Sequence, residues 1–320
     1  MLKLLALLIL LFSCFALADL PKVSAGTIER LAHFSSAHIP SRHVDIWLPP
    51  GYSNTGNQRY AVLYMHDGQM LFDGSSSWNK QEWRVDEVAS ALIASGATRP
   101  FIVVGIFNGG ARRHSEYFPQ QPFISLPETV QHQLYQLQRD SQQPLFTEAI
   151  YSDRYLKFLV EELKPYIDSR YQVLTDRENT FVMGSSMGGL ISLYAISEYP
   201  DIFGGAACLS THWPGVFQQD DNPVPAAFFA YMRQNLPEPA SHKLYFDYGT
   251  ATLDAWYPPL QAQADAILAS KGYTTANWQT LRFEGAEHSE NAWAERLHLP
   301  LTFLLGQSQN AKLQALNTHP

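Results

Sequence analysis

Three features of the 320-residue chain predict an α/β domain: a mostly parallel central sheet with helices on both faces and loop insertions over one edge. Short apolar runs of strand length alternate with amphipathic runs of helix length almost to the end of the chain. No linker, repeat or low-complexity block interrupts the alternation. The stretch Gly184-Ser185-Ser186-Met187-Gly188-Gly189-Leu190 places a G-x-S-x-G turn between an apolar strand-like run and a helix-like run closed by Pro200.

Strands are expected at 43–48, 60–65, 101–106, 180–183, 204–209, 243–247 and 278–283. Helices are expected at 83–95, 155–167, 187–198, 260–270 and 291–305, where apolar residues recur at helical spacing. Two stretches fit neither pattern: 109–145, rich in Gln, Pro and aromatics, and 213–241, rich in Pro, Gln and Asp. Loops of that length in a compact domain are usually functional, so both read as lids or substrate walls over the carboxyl edge of the sheet.

The amino terminus reads as a signal peptide over residues 1–18. Lys3 supplies a positive start, an unbroken apolar run follows from Leu4 to Phe12, and Ala16-Leu17-Ala18 is a small-x-small cleavage site. The run is too short to span a bilayer comfortably. Phe12 is bulky where a lipoprotein signal ahead of Cys14 wants a small residue, so cleavage after Ala18 and a periplasmic or secreted mature domain, 19–320, are expected. Cys14 leaves with the signal, Cys208 remains as a small core residue, and no intramolecular disulfide is possible. Loss of Lys3 moves the formal charge from −8 to −9, against nucleic acid or an acidic membrane surface as partners. No later apolar run approaches spanning length, and nothing in the sequence signals an oligomeric state.

A serine hydroxyl is a poor nucleophile at neutral pH and needs a base beside it and a third group to orient that base. Ser186 is the nucleophile candidate on its strand-to-helix turn. His288 follows a strand-like run in the polar turn Glu284-Gly285-Ala286-Glu287-His288-Ser289-Glu290 and is the base candidate. His298 and His319 read as solvated bystanders, as do Glu287 and Glu290, and His242 lies at the remote end of its strand. For the acid, Asp254 on the loop after 243–247 is favoured over Asp247, which is still inside the strand. The oxyanion donors are the backbone N–H of Met187, next after the nucleophile, and that of Gln69 in His66-Asp67-Gly68-Gln69. The side chains of His66 and Asp67 are expected to brace that loop.

These residues resemble a known family. His66-Asp67-Gly68-Gln69, Gly184-Ser185-Ser186-Met187-Gly188-Gly189 and Gly285-Ala286-Glu287-His288 look like the esterase branch of the α/β-hydrolases, over roughly residues 42–305. Arg112 with Glu116-Tyr117-Phe118-Pro119 resembles a loop that follows the fourth strand in that branch. The branch holds enterobactin and salmochelin esterases, S-formylglutathione hydrolases, feruloyl and acetyl esterases, and mycolyltransferases. The resemblance implies an α/β-hydrolase fold and carboxylic-ester chemistry, with Ser186 as nucleophile, His288 as base, Asp254 as acid, and Met187 and Gln69 as oxyanion donors. In one respect the chain departs from it: many members place the acid two or three residues beyond the loop glycine, and Asp254 is five beyond Gly249.

Around this constellation, His212, Trp213 and Trp78 are expected to form an aromatic wall for an aryl or sugar moiety, and Arg112 and Arg113 to meet an anionic group. No metal-ligand spacing, phosphate-cradling glycine loop or cofactor fingerprint is present, and serine-ester chemistry needs none. The leading expectation is an exported serine hydrolase acting on a small-molecule ester. An acyltransferase using the same triad is the runner-up, ahead of a peptidase or a non-catalytic binding protein on the same scaffold.

Overall fold

A computed structural model describes residues 20–306. The expected signal peptide, Cys14 and His319 lie outside the described residues. Eight strands form one sheet: β1 Thr27–Phe34, β2 Arg42–Leu48, β3 Ala61–His66, β4 Phe101–Ile106, β5 Thr180–Ser185, β6 Gly205–Leu209, β7 Lys243–Gly249 and β8 Trp278–Phe283. Their order is β1-β2-β4-β3-β5-β6-β7-β8. β1 and β2 enter antiparallel, and β4, β3 and β5 to β8 run parallel. The chain leaves β4 on one side of β3 and returns as β5 on the other, so the strand order switches direction between β3 and β5. Open α/β sheets form their ligand crevices at such a switch point, outside the carboxyl ends of the strands.

Why these strands are apolar throughout follows from the two layers that cover them. Val62 and Tyr64 of β3 point into one core, with Ile102, Val182, Leu190 and Leu156. Leu63 and Met65 point into the other, with Val103, Met183, Trp293 and Leu301. A strand buried on both faces loses its polar alternation and reads as a continuous hydrophobic run. Helix Met187–Glu198 is covered along nearly its whole length, which is why its sequence has little polar face.

Seven of the eight strands stand where the sequence puts them; β1 has no counterpart in the expectation. It is an edge strand, half exposed, with a register irregularity between Leu31 and Phe34 and a left-handed backbone at His33 (φ 53°). A strand with no buried face and a broken register leaves no period-2 signal. The helix expected at 155–167 begins at Ser152 and ends at Arg170, with a π-helical stretch over Phe158–Leu163. Pro165 explains the stretch, because it has no N–H and its ring crowds the carbonyl four residues back. The stretch 109–145 carries short helices Arg113–Tyr117, Gln120–Ile124 and Glu128–Tyr135, and 213–241 carries the helix Val224–Asn235. The last helical run divides into Glu290–Arg296 and His298–Leu305.

Candidate active site

β5 ends at Ser185, and Ser186 follows at φ 58° and ψ −121° before the helix Met187–Glu198 begins. A non-glycine residue in such a backbone costs about 1–3 kcal/mol and persists only where its surroundings hold it. Here the Ser186 N–H donates to the Leu209 carbonyl at 2.9 Å, and the Ser186 carbonyl accepts from the N–H of Gly189 at 3.0 Å and of His212 at 3.2 Å. Glycine is required at 184 because a Cβ there would stand 2.8 Å from the Gly188 backbone, so helix and strand could not cross.

The polar turn after β8 delivers His288. Its N–H donates to Thr252 Oγ1 at 2.8 Å, and its ring is wedged edge-on between Trp293 and Tyr257, with centroids 5.0 and 5.9 Å away. His288 Nδ1 lies 2.6 Å from Asp254 Oδ1. Facing a carboxylate, Nδ1 carries the proton, and Nε2 of the neutral ring keeps its lone pair.

Asp254 is fully buried in the short turn Thr252–Trp256 after β7. Its other oxygen, Oδ2, accepts from Ser210 Oγ at 2.5 Å and from the Gly249 N–H at 2.6 Å. Burial opposes its ionisation, but His288, Ser210 and Gly249 together hold the carboxyl below the usual carboxylate range. Asp247, the rival carboxylate, is tied elsewhere: Arg296 donates to its Oδ1 at 3.0 and 3.1 Å and the Tyr245 hydroxyl to its Oδ2 at 3.0 Å. Burial raises the Asp247 carboxyl to about 6.

The loop leaving β3 runs beside the elbow. Asp67 adopts a left-handed backbone, φ 58° and ψ 44°, and Gln69 sits in the single turn Gly68–Met70 that follows. A Cβ on Gly68 would stand 2.4 Å from the Gly105 backbone, so only glycine lets this turn lie on β4. The Gln69 side chain accepts from the Asn108 N–H at 3.3 Å. Met187 is the first residue of its helix, where a backbone N–H has no intrahelical acceptor. His66 and Asp67 brace the loop: His66 Nδ1 pairs with the Tyr155 hydroxyl at 2.8 Å, and Asp67 accepts from Arg113 and Asn108.

Ser186 and His288 open into one cleft of about 710 Å³, whose lining also includes Gln69, Trp78, Asn108, Arg113 and Trp293. Trp78 stands at this cleft with 82% of its surface exposed. The rest of the expected substrate wall is corrected. Trp213 is 0% exposed, donates its indole N–H to Gln261 at 2.9 Å and stacks on Phe246, so it is core. His212 is buried too, Nε2 on the Val216 carbonyl at 2.9 Å and Nδ1 on the Tyr257 hydroxyl at 2.8 Å, which makes it a brace. Of the two arginines, Arg112 turns to Glu148, 3.8 Å away, and Arg113 lines the cleft. Glu290, expected to be solvated, lines the cleft and accepts from Asn79 at 2.7 Å.

Sequence reasoning missed Ser210, Tyr257, Asn108 and Trp293. Ser210 and Asn108 sit just beyond the carboxyl ends of β6 and β4, so strand ends alone mark them. Tyr257 and Trp293 carry no motif, and only the fold brings them to His288. Among the described residues, no cluster of His, Cys, Asp or Glu is arranged to hold a metal ion, and no helix is long and apolar enough to cross a membrane.

A family model described as "Putative esterase" matches residues 35–301. An endo-1,4-beta-xylanase/feruloyl esterase of Xylanibacter ruminicola is 26% identical over 191 residues, 59% of this chain, but the match spans only 22% of that longer protein. The ferulic acid esterase of the anaerobic fungus Anaeromyces mucronatus superposes with a TM-score of 0.57 at 19% identity, over 90% of this chain and 92% of its own. An enterobactin esterase from Shigella flexneri gives 0.57 at 16% identity, over 89% of this chain and 60% of its own. At those identities the structural matches speak for the fold, and the fold is that of the α/β-hydrolases. The family match spans most of the chain, from before β2 into the last helix: this protein belongs to the esterase family of α/β-hydrolases.

Proposed function

We propose that this protein is an exported carboxylic-ester hydrolase that works through an acyl-enzyme on Ser186. The observation that carries the proposal is the 2.6 Å pairing of Asp254 with His288, in the cleft that the strained turn at Ser186 also enters. Neutral His288 takes the Ser186 proton at Nε2 as the hydroxyl oxygen attacks the ester carbonyl. Asp254 holds the ring in the Nδ1–H tautomer and stabilises the imidazolium that forms. The amides of Met187 and Gln69 stabilise the oxyanion of the tetrahedral intermediate. His288 then protonates the departing alcohol, and the same base activates a water that releases the acid and frees Ser186.

The cleft supports a small-molecule ester. Trp78 offers an exposed indole face to a planar acyl group or a sugar ring, and such a face gains from leaving water. The aromatic acid in the names of the feruloyl and ferulic acid esterases favours an aryl-acyl ester. Export rests on the signal-like residues 1–18. Assaying the purified protein on short p-nitrophenyl esters, p-nitrophenyl ferulate and peptide anilides tests the reading. Ester turnover with no anilide cleavage is expected. Anilide cleavage in preference to ester would overturn it, and acyl transfer to an added alcohol outpacing hydrolysis would make the protein an acyltransferase.

A further inference from the structure

Ser210 lies one residue beyond β6 in a left-handed backbone (φ 42°), its N–H donating to the Asp247 carbonyl at 2.7 Å. Its side chain is completely buried and meets three polar groups. Trp293 Nε1 donates to Ser210 Oγ at 2.9 Å and Arg296 Nη2 donates to it at 3.1 Å. The third, Asp254 Oδ2, lies 2.5 Å away and can only accept. A hydroxyl has two lone pairs and one proton. Indole and guanidinium nitrogens have no acceptor capacity, so both lone pairs of Oγ are taken and the proton has one place to go.

We propose that Ser210 is a positioning residue that fixes the Asp254 carboxylate for His288, with its hydroxyl locked in the donor role by Trp293 and Arg296. The proposal rests on Asp254 being the acid of the catalytic constellation. Three fixed donors then surround that carboxylate: Gly249 N–H and Ser210 Oγ–H on Oδ2, and His288 Nδ1–H on Oδ1. Arg296, at the end of the helix Glu290–Arg296, is itself anchored to Asp247 of β7, so the rigidity of that buried pair reaches the imidazole through the Ser210 hydroxyl and the Asp254 carboxylate. Asp254 stands on a turn five residues beyond Gly249, and a carboxylate carried that far out has more need of an external hold than one beside the strand end.

The test is a set of variants assayed on one activated ester: Ser210→Ala, Ser210→Gly, Asp254→Asn and the double variant Ser210→Ala/Asp254→Asn. Losing one hydrogen bond to a charged group should lower kcat by roughly 10- to 100-fold in Ser210→Ala, with KM within about twofold. Ser210→Gly removes the same hydroxyl while suiting the positive φ, and should show the same loss, so a folding defect of the alanine variant cannot mask the result. If Ser210 acts through Asp254, the double variant should match Asp254→Asn within about twofold, because the carboxylate it positions is gone. Losses that multiply would assign Ser210 a separate role and overturn the proposal. Ser210 variants at wild-type kcat beside an inactive Asp254→Asn would also overturn it, leaving the acid assignment standing. An active Asp254→Asn would remove that assignment and the proposal together.

Discussion

Arg113 grips Asp67 with both prongs of its guanidinium, Nε to Oδ1 at 2.6 Å and Nη2 to Oδ2 at 2.7 Å. Burial works against the Asp67 charge, but Arg113 and Asn108 hold the carboxyl below its usual range. The grip matters because Asp67 is the left-handed residue that turns the chain from β3 into Gln69. Releasing it should leave the Gln69 amide poorly aimed at the oxyanion. Arg113→Met is expected to cost about 10²-fold in kcat, the scale of one lost oxyanion donor, with little change in KM. Arg113→Lys should recover little, since an ammonium cannot make the paired contact. Steady-state kinetics on a p-nitrophenyl ester decides it; a kcat within threefold of wild type would mean the loop holds without the pair.

Acid should unfold the protein through its buried histidines. Burial depresses His66 to about 3 and His212 to about 4, and pushes His114 well below its ordinary value. A depressed folded pKa means that the unfolded chain takes up the proton first. The stability these groups contribute is therefore complete above about pH 6.5 and drains away as pH falls toward 4. Each histidine removes about 1.4 kcal/mol per pH unit across that window. Urea titrations at pH 7 and pH 5 should show the fall, and His212→Gln should reduce its slope by about one proton. A slope unchanged in that variant would mean His212 is not held neutral.

Two tryptophans that look alike in sequence should behave in opposite ways. Trp213→Phe removes a core indole and its bond to Gln261, and should lower the melting temperature while leaving KM nearly unchanged. Trp78→Ala removes a residue 82% exposed at the cleft, and should leave the melting temperature alone while raising KM several-fold for aryl esters. Thermal melts and KM values on both variants separate the roles. A Trp213 variant that raises KM at constant stability would return that residue to the substrate wall.

That contrast also marks how far the sequence could be read. Ser186 and His288 were legible because each sits in a local pattern, a G-x-S-x-G turn and a polar turn behind an apolar strand. Asp254 was legible by its place beyond β7, and Trp78, Gln69 and Arg113 by lying in loops that leave strand ends. Trp213 was misread for the same reason that Ser210 was missed: both follow β6 closely, and a side chain there turns to core, cleft or a neighbouring turn according to groups far away in sequence. Gln261 captures Trp213, while Asp254 and Arg296 capture Ser210. β1 escaped because its register breaks and neither face is buried, so the hydrophobic period that identifies the other strands is absent.

The acyl-enzyme on Ser186 is the center of the proposed chemistry and can be weighed directly. The wild-type protein and Ser186→Ala are mixed with p-nitrophenyl butyrate, quenched in acid within the first turnovers, digested and analysed by mass spectrometry. The expected result is a butyryl adduct on the Ser186 hydroxyl in the wild type, none in Ser186→Ala, and a fall in kcat on the order of 10⁶ in that variant. An adduct on Ser185, or a Ser186→Ala protein that turns over ester faster than the roughly 10³–10⁴-fold over water left by binding and an oxyanion hole alone, would contradict it.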